Sequence, residues 1–272
     1  MILVELSKML RSRRTWVTIA IIDLLPSIVA VLLSLTDLGP RPGTGPAFLS
    51  AVLADGALFP LAAIAMVLPL FLPAAVAITA GDSIAGEAQQ GTLRYLLIRP
   101  VGRTRLLVAK LISVMAFVLL TLLVVSATAY VLGILLLGQQ DSTVTTTVTF
   151  SGTQLSTPQL IGRTGLALAY ALLSMLGVAA VALFLSTMVR SPLAAAMGTL
   201  ALLIGSTLLL TLDAADGLKP YLLTRYWLAF VDLFRDPILW HDVLHGVLLQ
   251  IGYVLVFLGA AWANFVTKDI TD

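Results

Sequence analysis

The sequence has no cysteine, two histidines and few charged residues for its length. The lack of cysteine excludes disulfide bonds, thiolate metal sites and a cysteine nucleophile. Charged residues make up 11% of the 272 residues, whereas they make up about a quarter of a typical soluble domain. Neither GxxxxGKS nor GxxxxGKT occurs in the sequence. The chain therefore has no Walker loop of its own with which to bind and hydrolyse ATP.

Long apolar runs dominate what is present. Hydrophobic residues make up 59% of the chain and the mean hydropathy is +1.03, which indicates an all-α, polytopic membrane protein whose residues 1–272 form a single transmembrane domain. Each span needs about 20 apolar residues. Six runs are long enough, at residues 16–36, 56–80, 106–137, 165–189, 193–212 and 246–266. Kinks are predicted in the first two spans at Pro26, Pro60, Pro69 and Pro73.

Lysine and arginine are distributed unevenly between the two sides that these spans define. With a cytosolic N-terminus, eleven basic residues lie on the inner side and five on the outer side. Loops on the cytosolic side carry the excess of positive charge. The distribution therefore predicts a multi-pass protein of the cytoplasmic membrane with both termini in the cytosol.

Residues 1–14 alternate apolar and charged side chains at helical spacing. The apolar positions are Ile2, Leu3, Leu6, Met9 and Leu10. This pattern predicts an amphipathic helix that lies in the membrane interface with its cationic face toward anionic headgroups. A secretory signal peptide is the alternative, but no A-x-A-like cleavage site follows the apolar run that ends near Thr36.

A polar, basic segment at residues 81–105, here called the connector, joins the second and third spans. Its sequence predicts two short cytosolic helices, the second at residues 93–99, because serine, threonine and aspartate begin helices whereas glycine and proline end them. The residues predicted to begin or end these helices and the next span are Asp82 or Ser83, Gly91, Thr92, Pro100 and Thr104.

Among the connector residues, Glu87 supports the most specific functional hypothesis: that its side chain forms part of a docking surface for a partner protein. The alternative is a solvated helix face, with the neighbouring cations attracted to the inner leaflet at about 1 kcal/mol each. The defined succession of caps and turns favours docking.

Two segments on the predicted outer side are longer than simple turns. Residues 139–161 include TVTTTVTF, which is typical of either a small hairpin or an exposed loop. Residues 213–245 mix aromatic with charged side chains, a pattern that favours short interfacial or re-entrant helices at the headgroup level.

Asp23 is the one formally charged residue within the first predicted span. A carboxylate at a helix centre costs about 2.5–3.5 kcal/mol, so it usually faces a cavity, a partner or the interface. Two roles stay open: a place in the substrate translocation pathway, or a structural bond to a neighbouring helix.

His241 and His245 form HDVLH, with the i, i+4 spacing of a zinc-binding helix. The metalloprotease motif requires glutamate where Asp242 stands, and the chain has no third histidine. We therefore expect an interfacial helix end and no metal site here.

The connector and the two ends of the chain resemble the permease subunits of type-2 ATP-binding-cassette (ABC) exporters. The sequence GEAQQGTLRYLLIRPVGRTRLLVAK is similar to that family's order of E, GT, LL, P, R and K. The corresponding residues are Glu87, Gly91, Thr92, Leu96, Leu97, Pro100, Arg103 and Lys110. The amphipathic start VELSKMLRSRR, the end of the fourth span at LSTMVRS and the final ANFVTKDI are similar in kind.

The resemblance implies a half-transporter in which residues 1–14 act as an elbow helix and the connector forms a coupling helix. Two copies of a cytosolic ABC ATPase, which would carry ATP and Mg²⁺, would drive two permease copies, identical or merely similar, within membrane lipid. No nucleic-acid partner, cofactor or enzymatic activity of this chain is expected. The residues that the resemblance implies in coupling or docking are Ser83, Glu87, Gly91, Thr92, Arg94, Pro100, Arg103 and Arg190.

Two other classes of function are weighed against the export permease. An ion-coupled secondary transporter would usually need several ionisable groups within its spans, where little beyond Asp23 is found. An intramembrane metallohydrolase would have to use HDVLH as its metal site.

Overall fold

A computed structural model of the chain describes residues 2–35, 56–91, 102–137, 146–148 and 154–267. Within these residues the α-helices, numbered in chain order, are α1 Ile2–Arg11, α2 Arg13–Leu35, α3 Phe59–Val67, α4 Phe71–Gln89, α5 Arg103–Leu132, α6 Thr157–Met188, α7 Pro192–Thr211 and α8 Trp240–Thr267. A 3-10 turn, Gly56–Leu58, precedes α3, and a π-helical segment, Gly133–Leu137, continues α5.

Five described helices are long and apolar enough to cross a membrane: α2, α5, α6, α7 and α8. The pair formed by α3 and α4 adds a sixth span when it is counted as one, although it bends by 55°. The prediction of an all-α polytopic membrane protein is confirmed.

The bend between α3 and α4 lies at Pro69, where the helix is interrupted between Val67 and Phe71. The other two prolines of this bent pair, which were also predicted to cause kinks, do not interrupt a helix. Pro60 and Pro73 lie in the first turns of α3 and α4, where the backbone N–H has no intrahelical partner to lose. Pro26 lies inside α2, which is one continuous helix.

The centre of the bundle is α6, which packs against α4, α5, α7 and α8. Small residues allow α4 to approach its neighbours closely. A Cβ atom on Gly81 would lie 3.0 Å from the backbone nitrogen of Ala196 on α7, closer than an ordinary van der Waals contact, so the glycine favours this close crossing. The backbone of α7 at Ala195 and Ala196 therefore lies close to α4.

The threonine-rich outer segment contains a small hairpin. Strand β1, Thr146–Val148, pairs in antiparallel fashion with β2, Gln154–Ser156, with Thr147 opposite Leu155. Of the two predicted alternatives for this segment, the hairpin is confirmed.

Residues 213–245 contain the predicted short helices, as 3-10 turns at Asp213–Ala215, Lys219–Tyr221 and Trp227–Phe234. Their position at the headgroup level stays a prediction. Trp227, Phe230 and Leu233 are buried in the core, because side chains three apart on a 3-10 helix share one face. That face packs on α6 and α8.

Helix α4 continues through the first part of the connector, so the predicted cap at Asp82 or Ser83 is wrong. Both residues lie inside Phe71–Gln89, and Ser83 donates its hydroxyl to the carbonyl of Ala80. Gly91 follows the helix with a φ of 69°, which confirms the left-handed position predicted there.

The predicted cap at Thr104 is also wrong. The next span begins one residue earlier, at Arg103, with Gly102 as its N-cap. The Thr104 hydroxyl instead accepts a hydrogen bond from the Trp262 indole at 2.9 Å, so this side chain ties α5 to α8.

Candidate functional site

The flanks of the connector and the predicted motif segments meet at one end of the bundle, here called the connector end. Helix α4 ends here and α5 begins here. A Cβ atom on Gly86 would lie 3.7 Å from Pro192, which places the α6–α7 turn beside the end of α4. Asn264 of α8 donates to the Thr187 hydroxyl of α6 at 3.0 Å, so the ends of α6 and α8 lie here as well.

A buried ion-pair cluster joins three helices at the connector end. Its central cation is Lys110, on the second turn of α5. The Lys110 ammonium donates to Glu87 on α4 and to Glu5 on α1, the latter at 3.2 Å. Lys8 of α1 lies 3.6 Å from the Glu87 carboxylate. The cluster thus balances two cations against two carboxylates.

Burial makes this cluster unlike an ordinary surface ion pair. Lys110 is 4% exposed and Glu87 is 9% exposed, whereas the Lys8 side chain is 68% exposed. The predicted alternative of a solvated face for Glu87 is wrong, because α1 and α5 both cover the carboxylate. Removing one partner of a buried pair leaves an uncompensated charge and is strongly destabilising. The cluster therefore fixes α1, α4 and α5 relative to one another.

Ser186 fastens the same part of α4 to α6. Its hydroxyl donates to the carbonyl of Gly81 at 2.7 Å and accepts from the backbone N–H of Ala85 at 2.9 Å. The side chain thus bonds to the donor and acceptor of one turn of α4. This contact supplies a physical reason why α4 continues across glycine, aspartate and serine, which are weak helix formers.

Arg103 fastens the other flank of the connector. Its guanidinium donates to the carbonyls of Phe265 and Val266, at 3.1 and 2.7 Å. These carbonyls lie in the last turn of α8, where such groups have no intrahelical partner and favour a cation. Residues 263–267 of α8 are thereby brought to the connector, as residues 185–191 are through Ser186.

Five of the residues implied in coupling lie within the part of the chain that the structure describes. All five lie at the connector end, but their environments differ. Ser83 is half-buried in α4, Glu87 is buried, and Gly91 is exposed just beyond α4. Arg103 is half-buried against α8, and Arg190 is exposed in the turn between α6 and α7. Thr92, Arg94 and Pro100 lie outside the described residues, as does the coupling helix predicted at residues 93–99. Their proposed role in coupling stays a prediction.

Glu5 and Lys8 belong to the site but were not singled out from the sequence. Each lies on the polar face of the amphipathic helix predicted at residues 1–14, for which exposure to solvent or headgroups is the ordinary interpretation. Lys110 offered a signal, because it lies between apolar residues in LLVAKLIS. A lysine inside such a run needs a carboxylate partner, but the pattern does not say which one.

Asp23 bonds to a neighbouring helix, as in the structural alternative. Its carboxylate accepts a hydrogen bond from the Thr128 hydroxyl of α5 at 2.5 Å. The side chain is half-buried between α2 and α5. A role for Asp23 in the translocation pathway stays a prediction.

We expect Thr128→Val to lower the free energy of unfolding by about 0.6–1.7 kcal/mol, the range for one interhelical hydrogen bond in a membrane protein. Thr121→Val is the matched control, because the Thr121 hydroxyl bonds only within α5, to Phe117. Unfolding of both variants in mixed micelles measures the difference. Equal losses would mean that the bond to Asp23 contributes nothing.

His241 and His245 lie on the first turns of α8, both exposed. The Nδ1 atom of His245 lies 2.7 Å from the carbonyl of His241, so this nitrogen is engaged with the backbone. Among the residues that the structure describes, no three His, Cys, Asp or Glu side chains are grouped closely enough to hold a metal ion.

Comparisons with known proteins identify the family to which the chain belongs. Residues 1–206 match the family described as ABC-2 family transporter protein. Uncharacterized protein YhcI of Bacillus subtilis (strain 168) is 27% identical over 202 residues, which are 72% of this chain and 63% of that protein. The chain thus spans less than two thirds of that relative's length. Because the family match covers well over half of the chain, the protein belongs to the ABC-2 family of transporter membrane proteins.

Proposed function

We propose that the chain is the permease subunit of an ABC exporter, in which a separate cytosolic ATPase docks on the connector and drives the spans. The observation that carries the proposal is that both flanks of the connector are fastened to the bundle. Glu87 and Ser186 fasten the end of α4, while Arg103 and Lys110 fasten the start of α5. A connector held in this way transmits force, whereas a loosely tethered loop does not.

The buried cluster gives the coupling step a physical route. Glu87 and Lys110 connect the two spans that flank the connector, and Glu5 adds α1 to the same unit. A displacement of residues 92–101 by the ATPase would therefore move α1, α4 and α5 together. In this proposal Glu87 is a positioning residue that acts through Lys110, and the contact with the ATPase is made by the predicted helix at residues 93–99 and by Arg190.

The absence of a Walker loop from the sequence fits this division of labour. Chemical energy would enter through the partner, and this chain would supply the path across the membrane. Two permease copies and two ATPase copies, with both termini of each permease in the cytosol, complete the proposed assembly.

Replacing residues 93–99 with a glycine–serine segment of equal length is expected to abolish co-purification of the ATPase while the bundle stays folded. The same replacement at residues 139–145, in the predicted outer loop, is the control and should retain the ATPase. Affinity purification from native membranes, with the ATPase quantified by mass spectrometry, measures both. Retention of the ATPase by the 93–99 variant at the control's level would overturn the proposal.

A further inference from the structure

A cleft of about 330 Å³ lies at the connector end, between α1, the start of α2, the end of α4 and α5. Its volume falls within the range of small-molecule sites, about 300–1,000 Å³. Part of its wall belongs to the ion-pair cluster, but the cleft extends beyond the cluster along α2 and α4. The proposed coupling to an ATPase does not explain what this cleft would bind.

The wall of the cleft has a charged part and an apolar part. The charged part combines three cations with three carboxylates: Lys8, Arg14, Lys110, Glu5, Asp82 and Glu87. The apolar part lies toward the interior of α4 and α5 and includes Ala75, Ile78, Val114 and Phe117. This division matches a molecule with a polar head and a hydrocarbon tail.

Two of the cations at the charged part are held loosely. The side chains of Lys8 and Arg14 are 68% and 79% exposed, and each faces a carboxylate of α4, Glu87 at 3.6 Å and Asp82 at 3.2 Å. The Arg14–Asp82 pair is exposed on both sides, and such pairs contribute little to stability. Glu87 keeps its buried partner Lys110 when Lys8 turns away from it. A phosphate group can therefore take the two cations at small cost, since charge-assisted bonds to phosphate are among the stronger hydrogen bonds.

The equal number of cations and carboxylates indicates the kind of head group. A purely anionic head would gain from Lys8 and Arg14 but would also meet Asp82 and Glu5. A head that carries both a phosphate and a primary ammonium satisfies both signs, because its N–H groups can donate to the half-exposed Asp82 carboxylate. A head group without an ammonium would leave the Asp82 carboxylate without a cationic partner once the phosphate has bound Arg14.

The position of the cleft favours a membrane lipid over a dissolved molecule. The cleft lies where the amphipathic helix α1 meets the polar start of α2, and such helices lie at the boundary between headgroups and acyl chains. The apolar part is formed by residues of α4 and α5, which belong to the candidate spans. We propose that the cleft binds one phosphatidylethanolamine molecule, with its phosphate at Lys8 and Arg14, its ammonium at Asp82, and the start of an acyl chain along Ile78 and Phe117.

The experiment uses the purified full chain in detergent, equilibrated with equal amounts of phosphatidylethanolamine and phosphatidylglycerol and examined by native mass spectrometry. The proposal expects bound phosphatidylethanolamine to exceed phosphatidylglycerol. Lys8→Ala with Arg14→Ala should lower that binding about tenfold, since two charge-assisted contacts are lost. Arg11→Ala with Arg13→Ala is the matched control, because both arginines are exposed in the same stretch but do not line the cleft.

A second variant tests the apolar part without altering any charge. Thr79→Phe places a ring among the lining residues and should also displace the lipid, while near-native thermal unfolding would show that the protein remains folded. Glycerophosphoethanolamine, which has the head but no tails, should compete poorly. Each of four results would overturn the proposal. Two concern the lipid: a preference for phosphatidylglycerol, or full competition by glycerophosphoethanolamine. Two concern the variants: an equal loss of binding in Lys8→Ala/Arg14→Ala and Arg11→Ala/Arg13→Ala, or unchanged binding by folded Thr79→Phe.

Discussion

Lys110→Met is expected to lower the free energy of unfolding by about 3–5 kcal/mol, the usual cost of removing one partner from a buried ion pair. The methionine side chain has a similar length, so the loss would come from charge and hydrogen bonds. Glu87 and Glu5 would be left facing each other without the cation that lies between them. Lys8 could not replace it fully, because its side chain is largely exposed and lies farther from Glu87.

Two further variants separate the buried cluster from ordinary surface charge. Arg14→Met breaks the exposed pair with Asp82 and should cost no more than about 1 kcal/mol. Adding Glu87→Gln to Lys110→Met should recover part of the stability, since one uncompensated carboxylate is then removed. Reversible unfolding in mixed micelles, followed through the four tryptophans, measures all three. Equal costs for Lys110→Met and Arg14→Met would contradict a special role for the cluster.

The same variant bears on coupling. If α1, α4 and α5 move as one unit, then Lys110→Met in the assembled transporter should weaken the response of ATP hydrolysis to transported substrate, even when the ATPase still binds. A mere docking contact would instead lose the ATPase itself. Measuring ATPase content alongside hydrolysis distinguishes the two, because under the proposed function transmission through the cluster and attachment at residues 93–99 are different steps.

The sequence was sufficient to predict elements that depend on local pattern. Apolar runs long enough to cross a bilayer predicted the spans, and the glycine at position 91 predicted a left-handed backbone conformation there. The threonine-rich run predicted two alternatives for the outer segment, of which the hairpin is confirmed. In each case the structure depends on neighbours in the chain or on the membrane, and both can be inferred from a local stretch of residues.

Contacts between distant residues could not be predicted in this way. Glu5 and Lys110 are 105 positions apart, and nothing in either neighbourhood names the other. Helix α4 passes through a stretch that contains residues typical of caps and turns, because Ser186 and the packing of α6 and α7 stabilise it there. Tertiary contacts override local propensity at such places. The site therefore consists largely of contacts between distant residues, which local sequence patterns do not specify.

Gly133→Ala is expected to destabilise the protein, although the same change usually stabilises a helix. Gly133 begins the π-helical continuation of α5, and it is buried against the 3-10 turn that precedes α3. A Cβ atom there would lie 2.2 Å from the carbonyl oxygen of Gly56 and 2.9 Å from the Cβ of Phe59. Neither atom can rotate away, because one belongs to the backbone and the other is the first atom of a fully buried side chain. Such overpacking costs about 1–3 kcal/mol.

Gly165→Ala provides the matched comparison within α6. A Cβ atom on Gly165 meets no atom within 4 Å, so this variant should gain about 0.5–1 kcal/mol from the lower conformational freedom of alanine. The difference between the two variants in micellar unfolding isolates the contact of Gly133. Opposite signs are expected, and a gain at both positions would contradict the close approach.

The position of Gly133 also bears on how the spans move. It lies 23 residues after Lys110 on the same continuous span, which corresponds to about 35 Å along the helix. The span formed by α5 is thus held to the bent pair near both ends, by the ion-pair cluster at one end and by the Gly133 contact at the other. Under the proposed function, Gly133→Ala should weaken substrate-stimulated ATP hydrolysis without reducing ATPase binding, because the connector is untouched. Loss of the bound ATPase in a folded Gly133→Ala protein would show that the two ends are not mechanically separate.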